Sequence, residues 1–189
     1  MQTAQKEQKI VNGVNVTELF ETIDAIGGNK EIAKFNFRAK NKWINGGQNE
    51  TVVNDYDGAC QTFSRDTPFV FRKDEPAILL GTDTGANPVE YVLAALAGCL
   101  TTSLVYHAAA KGIKVDEVES TYSGNLDLRG FLGMDPNVRN GYSDIKIEFR
   151  VKGDATDEQL EELVRVAEQR SPVYDVVSKS VPVTVTVAR

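Results

Sequence analysis

The spacing of apolar positions shifts between a helical and a strand-like period along the chain. Near the N-terminus Val16, Leu19, Phe20, Ile23 and Ile26 recur at helical spacing, with Asn15 and Glu18 placed as a capping box and Gly27-Gly28 as a stop. A short amphipathic helix is predicted there, in an appended arm over residues 1–34 that precedes one domain over 35–189. From Ala33 the period becomes two: Phe35, Phe37 and Ala39 share one side of a predicted strand. The turn signal Asn45-Gly46-Gly47 leads to a second strand around Thr51 to Tyr56, so a hairpin is expected, and a third strand runs from Pro68 to Arg72. Asn87 to Gly112 is the longest pattern, with Leu93, Leu96, Leu100 and Leu104 as an apolar stripe, Pro88 in the first turn and Lys111-Gly112 at the end. Strand-like alternation returns over Val115 to Leu128 and Ser143 to Val151, around a loop rich in Gly, Asn, Asp and Pro. Thr156 caps a second helix with Gln159 at its third position and Leu160, Leu163, Val164 and Ala167 as its buried stripe. After Ser171-Pro172, the alternation of Val181, Val183, Val185 and Val187 predicts a last strand with one fully buried face. The order of elements predicts an α+β class, with two helices packed on mostly antiparallel sheet.

Composition narrows the function classes. A length of 189 residues suits one domain with a full core, or one protomer of an interlocked dimer. A formal charge of −6 and a pI near 4.9 argue against nucleic acid as a partner. The first ten residues hold no apolar core of a secretory signal, and two cysteines are too few for a disulfide-built scaffold, so a cytoplasmic protein is expected. Between Val92 and Ala110 there is no formal charge, yet small residues line the faces beside the leucine stripe. Lipid favours large apolar residues all round, so a central core helix rather than a membrane span is expected.

Chemistry centres on that helix, because Cys99 lies midway along it. With Cys60 and the single histidine, His107, spacings of 39 and 8 residues match no zinc motif, so neither a metal nor another cofactor is expected. Eight residues of helix separate Cys99 from His107 by about 12 Å of rise, too far for a direct thiol–imidazole hydrogen bond. His107 reads more readily as a packed, hydrogen-bonded histidine. A Ser171, His107 and Asp175 hydrolase set exists by residue type, but Ser171 is not in a nucleophile-elbow setting.

The run NPVEYVLAALAGCL, followed some 70 residues later by AEQRSPVYDV, resembles the OsmC/Ohr family, the osmotically induced and organic hydroperoxide resistance proteins. The likeness in element order covers about Phe35 to the C-terminus. GNLDLRGFLGMDP, RNGY and RSPVYDVV are similar to a branch distinct from the peroxidases themselves. The resemblance implies an intertwined homodimer with two interface sites, each built on a helix cysteine that attacks a hydroperoxide and becomes a sulfenic acid. In the peroxidase branch a second cysteine forms a disulfide with it, a dithiol restores the enzyme, and an arginine and a glutamate hold the thiolate. Carried over by position, the attacking cysteine is Cys99. The resolving position is Ser171, the glutamate position is Val89 with Glu90 one residue later, and the arginine position is Gln48. The catalytic candidates are therefore Cys99, Ser171 and Glu90. Arg170, Arg129, Arg139 and Arg65 are pocket candidates for the missing arginine, with Ser103 and His107 beside them; Cys60 lacks a Cys-Pro setting and reads as a bystander. The resemblance thus implies a thiol-dependent peroxide reductase with an external thiol reductant. The alternative is a non-catalytic homodimer that binds a small apolar ligand with Cys99 lining its pocket.

Overall fold

The computed structural model describes residues 8–188. The first seven residues of the expected arm, and Arg189, lie outside them. In chain order the elements are β1 (Ile10–Val11), β2 (Val14–Asn15), α1 (Val16–Gly28), β3 (Asn36–Phe37), β4 (Lys40–Asn45), β5 (Gln48–Val53), β6 (Tyr56–Gly58), β7 (Gln61–Phe63), β8 (Phe69–Lys73), α2 (Pro88–Ala110), β9 (Val115–Asn125), α3 (Leu128–Phe131), β10 (Asp144–Gly153), α4 (Asp157–Arg170) and α5 (Pro172–Ser178). Every pairing between these strands is antiparallel, so the α+β class with antiparallel sheets is observed. The chain divides into two compact units, one holding Thr17–Val92 and the other Lys9–Val16 with Leu93–Arg189.

The Thr17–Val92 unit carries two three-stranded sheets, ordered β4-β5-β8 and β3-β6-β7. The turn at Asn45 to Gln48 is where the sequence places it, with Gly46 at φ +52. Its first arm is β4, however, and not the expected Phe35 to Ala39. Arg38 is the reason: its guanidinium donates to Asp55 at 2.7 Å and to Asp57 at 2.6 Å, which draws β3 onto β6. Phe35, Phe37, Tyr56 and Phe63 then stack in a ladder with ring centroids 5.1–5.9 Å apart. The β6–β7 connection is a two-residue turn in which Ala59 (φ +47) and Cys60 (φ +60) both adopt the left-handed conformation that usually calls for Asn-Gly.

The second unit holds the core. Among the described residues every buried apolar side chain belongs to it: Val16, Leu96, Leu100, Leu104, Ala108, Ala109, Leu160, Leu163 and Ala167. β9 and β10 form a long hairpin whose exposure alternates residue by residue, which turns Ile145, Ile147, Phe149 and Val151 to the sheltered side. The predicted capping box at Thr156 and Gln159 starts α4. A short hairpin, β1–β2, turns at Asn12 and Gly13, both at positive φ. The Asn12 side chain ties it to the start of β9, donating to the Ile113 carbonyl and accepting from the Val115 amide at 2.9 Å each.

One expected strand is absent. Residues 181–188 carry no regular structure, and Val183, Val185 and Val187 are 79%, 88% and 87% exposed. A strand forms only where an edge satisfies its amides and carbonyls. Among the described residues no strand pairs with the segment, so its alternating pattern stays unused here.

Candidate active site

α2 is built at both ends by side-chain and backbone caps. Asn87 Oδ1 accepts from the Val89 amide at 2.8 Å, and Glu90 Oε2 accepts from the Asn87 amide at 2.8 Å, a reciprocal N-terminal cap. At the other end Gly112 (φ +73) and Ile113 donate to Ala109 and Ala108. Leu96, Leu100, Leu104 and Ala108 are sealed along one face. Cys99, Ser103 and His107 recur at four-residue intervals beside that face, each half-buried, so they share one stripe of the helix. Cys99 is a free thiol that no hydrogen bond or ion pair reaches among the described residues. α2 is also long and apolar enough to cross a membrane by length and composition.

Burial holds the imidazole of His107 below its ordinary value, with the Arg170 and then the Lys111 charge pushing the same way. Arg170, in the last turn of α4, makes no hydrogen bond or ion pair of its own within the described residues. Next to it Ser171 is only 2% exposed and ends one helix while starting another: its amide donates to Ala167, and its Oγ accepts from the Tyr174 amide at 3.1 Å. No hydrogen bond joins His107 to Ser171. Asp175 instead pairs with Lys179 at 2.5 Å, so a hydrolase triad is not assembled.

The remaining candidates are engaged locally. Gln48, at the resemblance's arginine position, donates to Thr82 Oγ1 at 2.7 Å and Thr84 Oγ1 at 3.4 Å. Both threonines are gathered by Asp74, a carboxylate 1% exposed that accepts the hydroxyls and amides of Thr82 and Thr84 and the Glu75 amide. The Thr82 hydroxyl foremost holds the Asp74 carboxyl well below its usual range. Arg65 donates to the Asn54 carbonyl and lies over the rings of Tyr56 and Phe69, 5.0 and 5.1 Å from their centroids. Arg129 is closed onto Asp127 at 2.6 Å, whereas Arg139 supplies the backbone on which Gly130 rests. Cys60 is exposed at its turn and opens on a recess of about 380 Å³ shared with Lys34, Asp57 and Thr62. Among the described residues no group of three His, Cys, Asp or Glu is placed to hold a metal.

Two polar features are not anticipated by the sequence reading. Asp74 organises the 81–87 loop, and the spacing of Asp74 from Thr82 and Thr84 gives no local signal for it. Tyr122 turns inward on β9 with a buried hydroxyl; burial raises its pKa, with the Ser120 hydroxyl acting the other way. Its place in the alternation of β9 is the signal that points inward.

Residues 81–186 match the family model described as OsmC-like protein. Solved structures share the fold at low identity. An OsmC-like protein from Mycoplasma pneumoniae superposes with a TM-score of 0.58 at 15% identity, covering 77% of this chain and 89% of that one. A putative osmotic stress induced and detoxification response protein from Psychrobacter arcticus gives 0.52 at 15%, covering 72% and 85%. A putative organic hydroperoxide resistance protein from Vibrio cholerae, with captopril bound in one of its active sites, gives 0.50 at 17%, covering 76% and 85%. No curated protein matches the chain.

Proposed function

Because the chain belongs to the OsmC-like protein family, we propose that it is a thiol-based redox protein of the peroxide stress response, in which Cys99 reduces an organic hydroperoxide. The observation that supports this most directly is the placement of Cys99: half-buried, midway along α2, within the matched residues, and on one stripe with Ser103 and His107. A sheltered thiol of this kind meets small peroxides while larger oxidants are kept out.

In the proposed cycle the Cys99 thiolate attacks the distal peroxide oxygen and breaks the O–O bond. The alkoxide leaves as an alcohol after taking a proton, and Cys99 becomes a sulfenic acid. An external thiol condenses with it, releasing water and forming a mixed disulfide, and a second thiol releases reduced Cys99 and an external disulfide. The external reductant is needed because Ser171, at the resolving position, has no sulfur. Ser171 and Glu90 act in this reading through the helix caps they complete, and Ser103, His107 and Arg170 line the approach to the thiol. Arg65, Arg129 and Arg139 stand outside the chemistry. We place the protein in the cytoplasm as a homodimer, with residues 1–34 as an arm added to the family domain.

The test is consumption of cumene hydroperoxide with dithiothreitol as reductant, alongside dimedone trapping and mass spectrometry. Turnover that Cys99→Ser abolishes, and a dimedone adduct on Cys99, are expected. No turnover and no adduct at Cys99 would refute the enzymatic reading. The absence of a polar partner for Cys99 favours one second reading, a small-ligand binder with Cys99 in its wall; an apolar probe bound equally by Cys99→Ser without any adduct would establish it.

A further inference from the structure

Four polar residues follow one inclined row down the second half of α2: Cys99, Ser103, His107 and, just past the helix, Lys111. Each step is about 6 Å of rise, so Ser103 lies beside the thiol and His107 about 12 Å from it. Between Val92 and Ala110 the helix carries no formal charge, which leaves the field along this row to its neighbours. At His107 that field is positive. The Arg170 charge from the end of α4 and the Lys111 charge both oppose protonation of the imidazole, and no carboxylate favours it.

The acids that would ordinarily match these cations are already used. Glu168, two residues before Arg170, accepts from the Tyr174 hydroxyl at 2.6 Å, and Asp175 holds Lys179 at 2.5 Å. Earlier in α4, Glu161 and Glu162 pair with Arg165 at 3.7 and 2.9 Å. Arg170 and Lys111 are left exposed, and neither side chain makes a hydrogen bond or ion pair with any described residue. The C-terminal dipoles of α2 and α4 offset them only in part, because each amounts to roughly half an elementary charge. The half-buried imidazole of His107 is likewise unpartnered among the described residues, so it offers a neutral N–H beside the cations. A guanidinium fork, an imidazole N–H and a nearby serine hydroxyl together form a donor set that suits a carboxylate.

We propose that Arg170 and His107, with Lys111 behind them, form a subsite for the carboxylate of a small thiol whose sulfur reaches Cys99. This rests on the redox reading above and names the chemical class of its reductant. The thiol condenses with the Cys99 sulfenic acid: its sulfur forms the S–S bond, and its proton leaves with the sulfenic hydroxyl as water. A second molecule of the same thiol takes the outer sulfur away as a disulfide and returns Cys99 as a thiol. The anchored carboxylate lays the chain of the reductant along the row, over Ser103, and so delivers its sulfur to Cys99.

The experiment compares 6-mercaptohexanoate with 6-mercaptohexanol, thiols of one chain length that differ in the carboxylate, as reductants for cumene hydroperoxide. A kcat/KM about tenfold higher for the carboxylate is expected, the size of one charge-assisted hydrogen bond. Arg170→Gln brings the two thiols level and Arg170→Lys restores part of the preference. Arg165→Gln, which removes the same charge from the same helix, leaves the preference in place. A second readout needs no turnover: labelling of Cys99 by 6-maleimidohexanoate against N-hexylmaleimide, followed by mass spectrometry, with Cys60 of the same chain as reference. Cys99 is expected to favour the anionic maleimide, and Arg170→Gln to abolish that preference. No turnover with either thiol, alongside anionic preference in labelling, overturns the redox reading and supports the subsite. Equal use of both members of both pairs by the wild-type chain overturns the subsite, and a preference that survives Arg170→Gln overturns its assignment to Arg170. A wild type that uses the thiols alike but turns over 6-hydroperoxyhexanoate faster than hexyl hydroperoxide places the anion on the peroxide and overturns the proposed reductant.

Discussion

In the unit that includes Leu93 onward, Leu96, Leu104 and Leu163 lose essentially all contact with water. In the Thr17–Val92 unit, Phe35, Phe37, Trp43 and Phe69 each stay more than half exposed. Both units use good local patterns, so the difference lies in what covers the apolar face. α2 and α4 bring leucine stripes and the β9–β10 hairpin brings an alternating face, which together seal a core. The two sheets of the other unit have alternating strands, but among the described residues none of its apolar side chains is sealed. Arg38 with its two aspartates, the aromatic ladder and the Asp74 network organise it instead.

The largest test of this contrast is substitution of one large side chain in each unit. Leu163→Ala removes a side chain with no exposed surface and is expected to cost about 2–5 kcal/mol in guanidinium unfolding. Phe69→Ala, starting from 56% exposure, is expected to cost under ~1 kcal/mol at the lowest protein concentration. Equal costs at that concentration would break the comparison. A Phe69→Ala cost that rises with protein concentration would sharpen it by assigning the missing cover to a second chain.

Acid should act on the units unequally, because one is organised by carboxylates and the other by leucines. The Arg38 hydrogen bonds foremost, and Thr62 after them, lower Asp57 from 3.8 to about 2, and Arg38 lowers Asp55 in the same direction. A carboxyl depressed on folding stabilises the fold fully above its unfolded value, and that contribution fades as pH falls through the folded value. Between roughly pH 4 and 2 the β3–β6 pairing is therefore expected to loosen before the core of the other unit. Amide exchange at Phe37 and Asp57, against Leu104 and Leu163, reads this directly. Arg38→Gln should bring the same loss already at pH 7 and flatten the acid dependence. Simultaneous loosening of both units in the wild type would count against it.

The same contrast explains what the sequence could tell. The α2 and α4 boundaries are legible because Asn87, Gly112 and the Thr156 capping box are local signals that lie beside the stripes they delimit. The hairpin at Asn45 to Gln48 is legible for the same reason. Its strand partners are not, since Arg38 reaches 17 and 19 residues along the chain to Asp55 and Asp57. The Asn12-Gly13 turn between Val11 and Val14 was readable as a hairpin signal, but the helical stripe that follows it dominates that window. The Val181 to Val187 pattern promises a strand that one chain does not complete. At the candidate site Cys99 was legible through the motif around it. The fates of Gln48, Glu90 and Ser171 were not, because each is set by a hydrogen-bond partner that residue type alone does not name.

The smallest expected effect joins stability to chemistry at the turn of the exposed unit. Ala59 and Cys60 hold the left-handed conformation with side chains that disfavour it by roughly 1–2 kcal/mol each, whereas Asn and Gly adopt it readily. Ala59→Asn with Cys60→Gly should remove most of that strain, against which the freer unfolded state of glycine costs about 0.4–1 kcal/mol. A net gain of roughly 1 kcal/mol is expected, seen as a rise in Tm of about 2–4 °C for a chain of this size. The same variant lacks Cys60, so it also asks whether that thiol takes part in the cycle. Unchanged hydroperoxide turnover and an unchanged dimedone adduct on Cys99 are expected if the proposed cycle holds, because that cycle draws on an external thiol and leaves Cys60 in its local turn. Loss of turnover together with a longer-lived sulfenic acid would instead make Cys60 the resolving thiol.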